Sequence, residues 1–227
     1  MNREKEMKKI EDARKTFKGF DVVFRNIVGE NPLQILELRN PDGTGTYRLR
    51  VVFDEKGRTF TISGDLGEAV FYPTWPATLA HTASVGMNAP YFMEKCACSS
   101  DRYEYDKDEF REELRKWMKE RVEAHNEECD DEYDEIDEDD IDWDVDEVMG
   151  GFDTYRGFHG DDKDAQNALA KYGNGLYEGL YDWGKGWHIR VYLWMAGIEY
   201  AYAKLNEKAE EESAASASAD AKKGERK

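Results

Sequence analysis

Five short segments between Phe20 and Tyr72 have the length and composition of strands, turn-forming residues separate them, and residues 47–53 alternate apolar and polar side chains. In an extended strand successive side chains point to opposite faces, so this alternation is typical of strands with one buried face. Such short connections join antiparallel neighbours, because parallel strands need a longer crossover. The pattern therefore predicts an antiparallel β-meander of about five strands. The predicted strands cover residues 20–27, 33–38, 47–53, 59–63 and 68–72.

Apolar residues at helical spacing predict helices on both sides of this meander. The last predicted helix is the most apolar, because residues 189–205 carry large side chains, including Trp194, over more than half of its circumference. A helix of that kind packs deeply, and we expect it to lie against the sheet. Other predicted helices cover residues 2–17, 76–85, 89–98 and 161–172, and a further helix begins at Asp106.

These elements predict a single α+β protein in which helices pack on an antiparallel β-meander. Its low-complexity C-terminus, rich in Glu, Ala, Ser and Lys, is predicted to be disordered. No run of 18 apolar residues is present, so no membrane span is expected. The predicted parts are an N-terminal helix (1–18), a sheet domain with a long helix (19–121), an acidic segment (122–155), a helical C-terminal part (156–209) and the disordered tail (210–227).

The negative charge of the chain is concentrated between Val122 and Tyr155. This segment contains 17 carboxylates and no Lys or Arg, which leaves 33 acidic and 32 basic residues elsewhere. The net charge of −18 is therefore the property of one segment. Because a concentrated field steers oppositely charged partners, the acidic segment predicts binding to a basic protein. Direct binding to nucleic acid is not expected, since nucleic-acid interfaces carry positive charge.

Residues 140–146 alternate aspartate with Ile141, Trp143 and Val145. In a strand, these three apolar side chains would pack inward and the four aspartates would form an outward row, about 6.6 Å apart. A nucleic-acid strand carries one charge per roughly 3.4 Å of axis, so the row predicts a mimic of a phosphate backbone. The alternative is a solvated, partly disordered acidic loop. The candidate partner-binding residues are Asp130, Asp131, Asp134, Asp137, Asp139, Asp140, Asp142, Asp144, Asp146 and Glu147.

The acidic segment is predicted to be dispensable for folding. The predicted sheet and the last helix draw few residues from it, and the remainder of the chain is close to neutral. Deleting residues 127–147 is therefore expected to leave the fold intact.

Patterns that signal catalysis or metal binding are weak. The sequence shows no Ser-His-Asp ordering, no phosphate-binding loop and no dinucleotide fingerprint. Cys96, Cys98, His125 and Cys129 could supply four zinc ligands. Against this, the single-residue spacer between the first two cysteines is unusually tight, and His125 and Cys129 continue the apolar phase of a helix. Ordinary burial is the preferred interpretation.

Two further motifs have simple structural explanations. Counted from Asp140, an EF-hand loop would have Val145 where glycine is needed and Gly151 where glutamate is needed, so a calcium loop is excluded. Residues 63–67 could form an anion-binding nest, but two glycines are common in hairpin turns, and a turn is predicted. The aromatic residues between 172 and 187 are predicted to pack internally instead of stacking on bases. No cofactor and no metal are predicted.

Two motifs resemble those of uncharacterised accessory proteins of tailed bacteriophages. Residues 59–72 read TFTISGDLGEAVFY, which is similar to an ISGDxGxAxF hairpin, and residues 89–96 read APYFMEKC, which is similar to a YFxxK helix. An aromatic-rich helix near the C-terminus is a further similarity. The resemblance implies a phage or prophage accessory protein that acts inside a bacterial cell, and it brings no catalytic residues. The acidic segment is not part of the shared pattern.

Charge and resemblance together predict a phage-encoded inhibitor that binds a basic, nucleic-acid-binding host protein. The expected targets are host defence proteins, a CRISPR effector first and a restriction enzyme second. One alternative is a small metal-dependent hydrolase or transferase that uses carboxylates of the acidic segment, and another is a structural or regulatory phage protein. The odd number of cysteines and the charged N-terminus without an apolar core predict the reducing cytoplasm of the host cell.

Overall fold

The computed structural model describes residues 3–128, 140–173 and 177–224 of an α+β protein. The chain forms two compact units. The sheet unit contains Glu4–Arg102 and Ile189–Lys227, and the acidic unit contains Tyr103–His188 together with Met1–Arg3. The unit boundaries therefore follow Arg102 and His188, whereas the sequence predicts boundaries after residues 18, 121, 155 and 209.

Six strands of the sheet unit form one antiparallel sheet in the order β1-β2-β3-β4-β5-β6. They are β1 Asp21–Ile27, β2 Leu33–Arg39, β3 Leu49–Asp54, β4 Thr59–Gly64, β5 Ala69–Phe71 and β6 Cys96–Ser99. The predicted α+β class and meander are confirmed, since the first five strands pair in sequence order. In the acidic unit, β7 Tyr103–Tyr105 pairs with β10 Lys185–Trp187, and β8 Phe152–Asp153 pairs with β9 Gly157–Phe158.

The sixth strand lies in a segment for which the sequence predicts helix throughout. A helix does begin there, because the side chain of Asn88 accepts a hydrogen bond from the backbone N–H of Tyr91 and Pro90 occupies the first turn. The helix ends at Glu94, and Cys96–Ser99 pairs with β5. Pairing with a distant strand overrides the local helical pattern at this position.

The last helix is longer than predicted and reaches Gly224. Ala, Glu and Lys are strong helix formers, and the buried first half of this helix supplies the costly nucleus. Helix therefore replaces the predicted disorder over residues 210–224. None of the described helices has both the length and the apolar character needed to cross a membrane. The helices are α1 Arg3–Thr16, α2 Leu79–Ala83, α3 Ala89–Glu94, α4 Lys107–Glu128, α5 Ile141–Met149, α6 Lys163–Ala170, α7 Tyr177–Leu180 and α8 Ile189–Gly224.

α8 contributes the centre of the core of the sheet unit. The ring of Trp194 is fully buried, stands perpendicular to the ring of Phe71 with 6.4 Å between centroids, and donates from its indole N–H to the carbonyl oxygen of Leu66 at 3.1 Å. Gly197 permits a close approach, because a Cβ there would lie 2.6 Å from Cδ2 of Leu49. The predicted packing of the last helix against the sheet is confirmed.

Residues 63–67 form the predicted turn. Gly64 has a φ of +132°, and a Cβ there would lie 2.2 Å from the carbonyl oxygen of Arg48, so the position requires glycine. The backbone N–H of Tyr47 donates to the carboxylate of Asp65 at 2.9 Å. The backbone N–H groups of Asp65 and Gly67 donate to the carbonyl oxygens of Arg48 and Gly64 at 3.0 and 3.2 Å, so the loop is a closed turn and not a nest for an external anion.

The core of the acidic unit joins α4, α5 and α6. The α4 residues Phe110, Leu114, Met118 and Val122 are spaced four apart and are fully buried. They pack in one cluster with Ile141, Val145, Val148, Met149, Ala165, Ala168 and Leu169. The predicted acidic segment therefore supplies core residues through α5. The premise that the fold draws few residues from this segment is therefore wrong, and deleting residues 127–147, which removes Ile141 and Val145, is now expected to destabilise the acidic unit.

Candidate partner-binding surface

The charge of the chain is divided between its two units very unequally. Residues 103–188 contain 29 acidic and 10 basic residues, whereas the rest of the chain contains 21 acidic and 22 basic residues. The excess of negative charge therefore belongs to the acidic unit. Any basic partner that the field attracts is directed to this part of the molecule.

The run of aspartates in residues 140–146 forms the helix α5, so the predicted strand is wrong. Trp143 points outward and Asp144 points inward, which reverses their predicted positions. The apolar residues at positions 141, 145, 148 and 149 fit the 3.6-residue period of a helix, and the last two lie beyond the alternating run. The buried side chains of α5 are Ile141, Asp144, Val145, Val148 and Met149.

Two of the aspartates form ion pairs with α4. Asp142 pairs with Arg115 at 2.7 Å, and Asp146 pairs with Arg111. The side chains of Asp142 and Asp146 remain 72% and 63% exposed. Exposed ion pairs of this kind contribute about 0–1 kcal/mol, so both carboxylates stay accessible to a partner. Arg111 and Arg115 are not among the predicted site residues, although their spacing of four matches that of the two aspartates.

Trp143 is the most unusual residue of this surface, because 69% of it is exposed. Its indole N–H donates to Oε1 of Glu147 at 3.0 Å, which fixes the orientation of the ring. Asp140, at the N-terminus of α5, is also exposed. Positions 140, 143 and 147 share the outer face of the helix, since three or four residues separate neighbours. We call Trp143 with Asp140, Asp142, Asp146 and Glu147 the Trp143 surface.

Asp144 lies inside the acidic unit and is not available to a partner. It is fully buried and accepts hydrogen bonds from Nζ of Lys171 at 2.6 Å and from the hydroxyl of Tyr172 at 2.7 Å. Burial, followed by the Asp144 hydrogen bond, raises the pKa of Tyr172, and the Asp144 hydrogen bond raises the pKa of Lys171. Asp144 thereby links α5 to Lys171 and Tyr172 at the end of α6.

The raised pKa values predict a loss of stability at alkaline pH. Lys171 and Tyr172 hold their protons more strongly in the folded protein than in the unfolded chain. Their contribution to stability is therefore complete below their unfolded-state pKa values of about 10, and it is lost as the pH rises through their folded-state pKa values. Thermal melting should show an alkaline decrease in stability that is smaller in Tyr172→Phe, which keeps only the lysine pair. An equal decrease in this variant and the parent would contradict the assignment.

The remaining candidate residues fall into two groups. Asp130, Asp131, Asp134, Asp137, Asp139 and Cys129 lie outside the described residues. Burial raises the pKa of the Cys96 thiol, which donates to the carbonyl oxygen of Cys98 at 3.3 Å. Cys98 and His125 are exposed, so ordinary burial does not explain these two. Within residues 3–128, 140–173 and 177–224, no group of three or more His, Cys, Asp or Glu is placed to hold a metal ion.

The aromatic residues that follow α6 serve mainly internal packing, as predicted. The ring of Trp117 on α4 lies 6.1 Å from that of Tyr172 and 6.3 Å from that of Trp183. Trp187 stacks on Tyr103 with 5.0 Å between centroids. The contacts of Trp117 hold α4 against the C-terminal part of the acidic unit, and the Trp187–Tyr103 contact joins β10 to β7.

Comparison with protein-family models, with curated protein sequences and with solved structures finds no match for the chain.

Proposed function

We propose that this protein is a phage-encoded inhibitor that binds a basic, nucleic-acid-binding host protein through the Trp143 surface. The supporting observation is an exposed tryptophan surrounded by four carboxylates, in the unit that carries the excess negative charge. The phage origin and the expected targets, a CRISPR effector first and a restriction enzyme second, come from the motif resemblance. The site of action is then the cytoplasm of the host.

The composition of the surface suits a protein partner. Exposed charges increase the rate of association and select a partner of opposite sign, whereas buried aromatic anchors supply most of the affinity. Trp143 offers such an anchor, since it has one of the largest side chains and its ring is already oriented by Glu147. Its face is also suited to the guanidinium of an arginine, which aromatic rings bind through cation–π attraction.

The ion pairs of α5 support competition with nucleic acid. A groove that binds phosphates presents lysine and arginine side chains, and the exposed carboxylates of Asp142 and Asp146 can exchange Arg115 and Arg111 for these side chains. The exchange costs little, because each exposed pair is worth about 0–1 kcal/mol. The inhibitor would therefore act as a patch of carboxylates around a tryptophan, not as the straight row predicted from the sequence.

A competition assay tests the proposal. A guide-loaded CRISPR effector, and in parallel a restriction enzyme, is bound to a labelled nucleic acid, and the protein is added. We expect the parent to displace the nucleic acid, with a potency that falls steeply as salt is raised. Neutralising Asp140, Asp142 and Asp146 to Asn and Glu147 to Gln should weaken displacement about 100-fold, because several close charge pairs each contribute more than a kcal/mol.

A matched control separates local recognition from net charge. Its four substitutions are Glu30→Gln, Glu55→Gln, Glu68→Gln and Glu94→Gln, which remove four exposed charges from the sheet unit. This control should displace nucleic acid nearly as well as the parent. Equal displacement by the α5 variant and the parent would refute the proposal. Loss of a chemical turnover with binding retained would instead favour the metal-dependent enzyme.

Trp143→Ala tests the anchor independently of charge. We expect it to weaken displacement by about tenfold or more, as truncation of an interface tryptophan does, and to leave the salt dependence unchanged. A variant that binds as tightly as the parent would show that the carboxylates act without the indole ring.

A further inference from the structure

A groove runs along the open edge of the six-stranded sheet. Its volume is about 690 Å³, and one wall is formed by residues 20–24, which are Phe20 and the first four residues of β1. The other wall is formed by the second half of α8, through Lys204, Leu205, Glu207, Lys208 and Glu211. Every residue that lines the groove belongs to the sheet unit.

β1 is an edge strand that is ready to pair with another strand. It pairs with β2 on one side along its whole length, without a register shift, and no strand of the described part of the chain neighbours it on the other side. It contains no proline, which is a common protection of sheet edges. Val22 and Phe24 are on the face that carries the core, yet both are only half-buried. An additional strand at this edge would extend their burial.

The sequence of β1 is complementary to itself in an antiparallel arrangement. If Val23 pairs with Val23 of a second copy, Asp21 of each copy faces Arg25 of the other. In the same register, Val22 of each copy faces Phe24 of the other on the core side. Opposite charges and aromatic–aliphatic pairs are the side-chain pairs that stabilise neighbouring strands. Moving the two-fold axis by one residue, so that Phe24 meets Phe24, shifts one copy by two positions and would instead place Asp21 opposite Ile27.

The geometry points to a second copy of this chain as the occupant of the groove, with β1 paired to β1 about a two-fold axis at Val23. An antiparallel strand pair has this symmetry, so each copy presents the same surface to the other. The two sheets then join into one continuous sheet, with the core faces on the same side. The inference concerns the sheet unit and is independent of the proposed function.

The wall formed by α8 is compatible with an identical neighbour. It carries two lysines and two glutamates, so it has no net charge that would repel a second copy. Leu205, which is half-buried, gives this wall an apolar residue. The α8 wall therefore adds no electrostatic repulsion to the pairing of β1 with β1 of a second copy.

Salt should act on dimerisation and on partner binding in opposite directions. Two copies, each with a net charge of −18, repel one another at long range, and salt screens this repulsion. Self-association should become stronger as salt is raised, whereas binding of the acidic unit to a basic partner should become weaker. The two proposals can therefore fail separately.

Sedimentation of the full chain at low and high salt tests the inference. At high salt we expect a mass of twice 26.3 kDa. Asp21→Arg and Arg25→Asp each place like charges opposite one another twice in the dimer, and each should weaken dimerisation about tenfold. The double variant with both substitutions restores opposite charges in this register and should recover dimerisation to within about threefold of the parent.

Val23→Lys provides an independent test, because it brings two ammonium groups together at the two-fold axis. It should yield a monomer with the thermal stability of the parent monomer. Three results would overturn the inference: a parent that stays monomeric at high salt, a dimer that persists in Val23→Lys, or a double charge-exchange variant that is no better than the single variants. The charge-exchange variants should still bind the basic partner through the Trp143 surface.

Discussion

Replacing Trp194 by alanine is expected to lower the free energy of unfolding by about 3–5 kcal/mol, the range typical of large aromatic truncations in cores. Trp194 has no exposed surface, and its ring meets Phe71 edge to face. The substitution removes these contacts, creates a cavity between α8 and the sheet, and leaves the carbonyl oxygen of Leu66 without its indole donor. Chemical denaturation monitored by circular dichroism measures the loss.

Two further variants show how much of this loss of stability comes from the ring packing of Trp194, from its hydrogen bond and from its burial. Trp194→Phe keeps much of the ring packing but still removes the hydrogen bond to Leu66, so it should cost less than the alanine variant. Trp143→Ala removes the same side chain from an exposed position and should change stability by within about 0.5 kcal/mol. A loss below about 1 kcal/mol in Trp194→Ala would mean that α8 is peripheral to the core.

The strands of the meander could be predicted because their signals are local. Short segments of strand-like composition and the turn residues between them are properties of neighbouring residues, and all five predicted strands occur. The strand β6 and the pair formed by β7 and β10 were not found, because they arise from pairing between distant segments. A four-residue strand such as Cys96–Ser99 has too few residues to show a period of its own.

The candidate surface shows a different limit of sequence analysis. Residues 140–146 do alternate, but seven alternating residues are compatible both with the two-residue period of a strand and with the 3.6-residue period of a helix. Val148 and Met149, just beyond the run, continue the apolar face of a helix and are buried. The arginines that pair with α5 come from α4, about thirty residues earlier in the chain, so local pattern could not identify them.

The helical period also explains why one aspartate is buried. Position 144 lies between positions 141 and 148 on the inner face of α5, where the other buried side chains are apolar. A buried carboxylate is costly unless its oxygens are hydrogen-bonded. Lys171 and Tyr172, at the end of α6, provide one bond to each oxygen of Asp144. This small network fixes how α5 and α6 pack together.

A variant that lacks only the Asp144 carboxylate should therefore be less stable than a variant that lacks both this carboxylate and the Tyr172 hydroxyl. Asp144→Leu leaves the buried hydroxyl of Tyr172 without its acceptor, and we expect a loss of about 3 kcal/mol in the free energy of unfolding. Lys171 is half-exposed and can turn into water, so it adds little to this cost.

The combined variant Asp144→Leu, Tyr172→Phe removes the carboxylate together with the buried hydroxyl, and it should be more stable than Asp144→Leu alone. The reason is an asymmetry: an unpaired buried polar group carries its full desolvation cost, whereas an apolar pair of similar shape carries almost none. Denaturant unfolding of the parent, the two single variants and the double variant measures the coupling between the two side chains. If the two losses simply add, Asp144 and Tyr172 do not act as a unit, and the packing of α5 on α6 depends on the apolar residues alone.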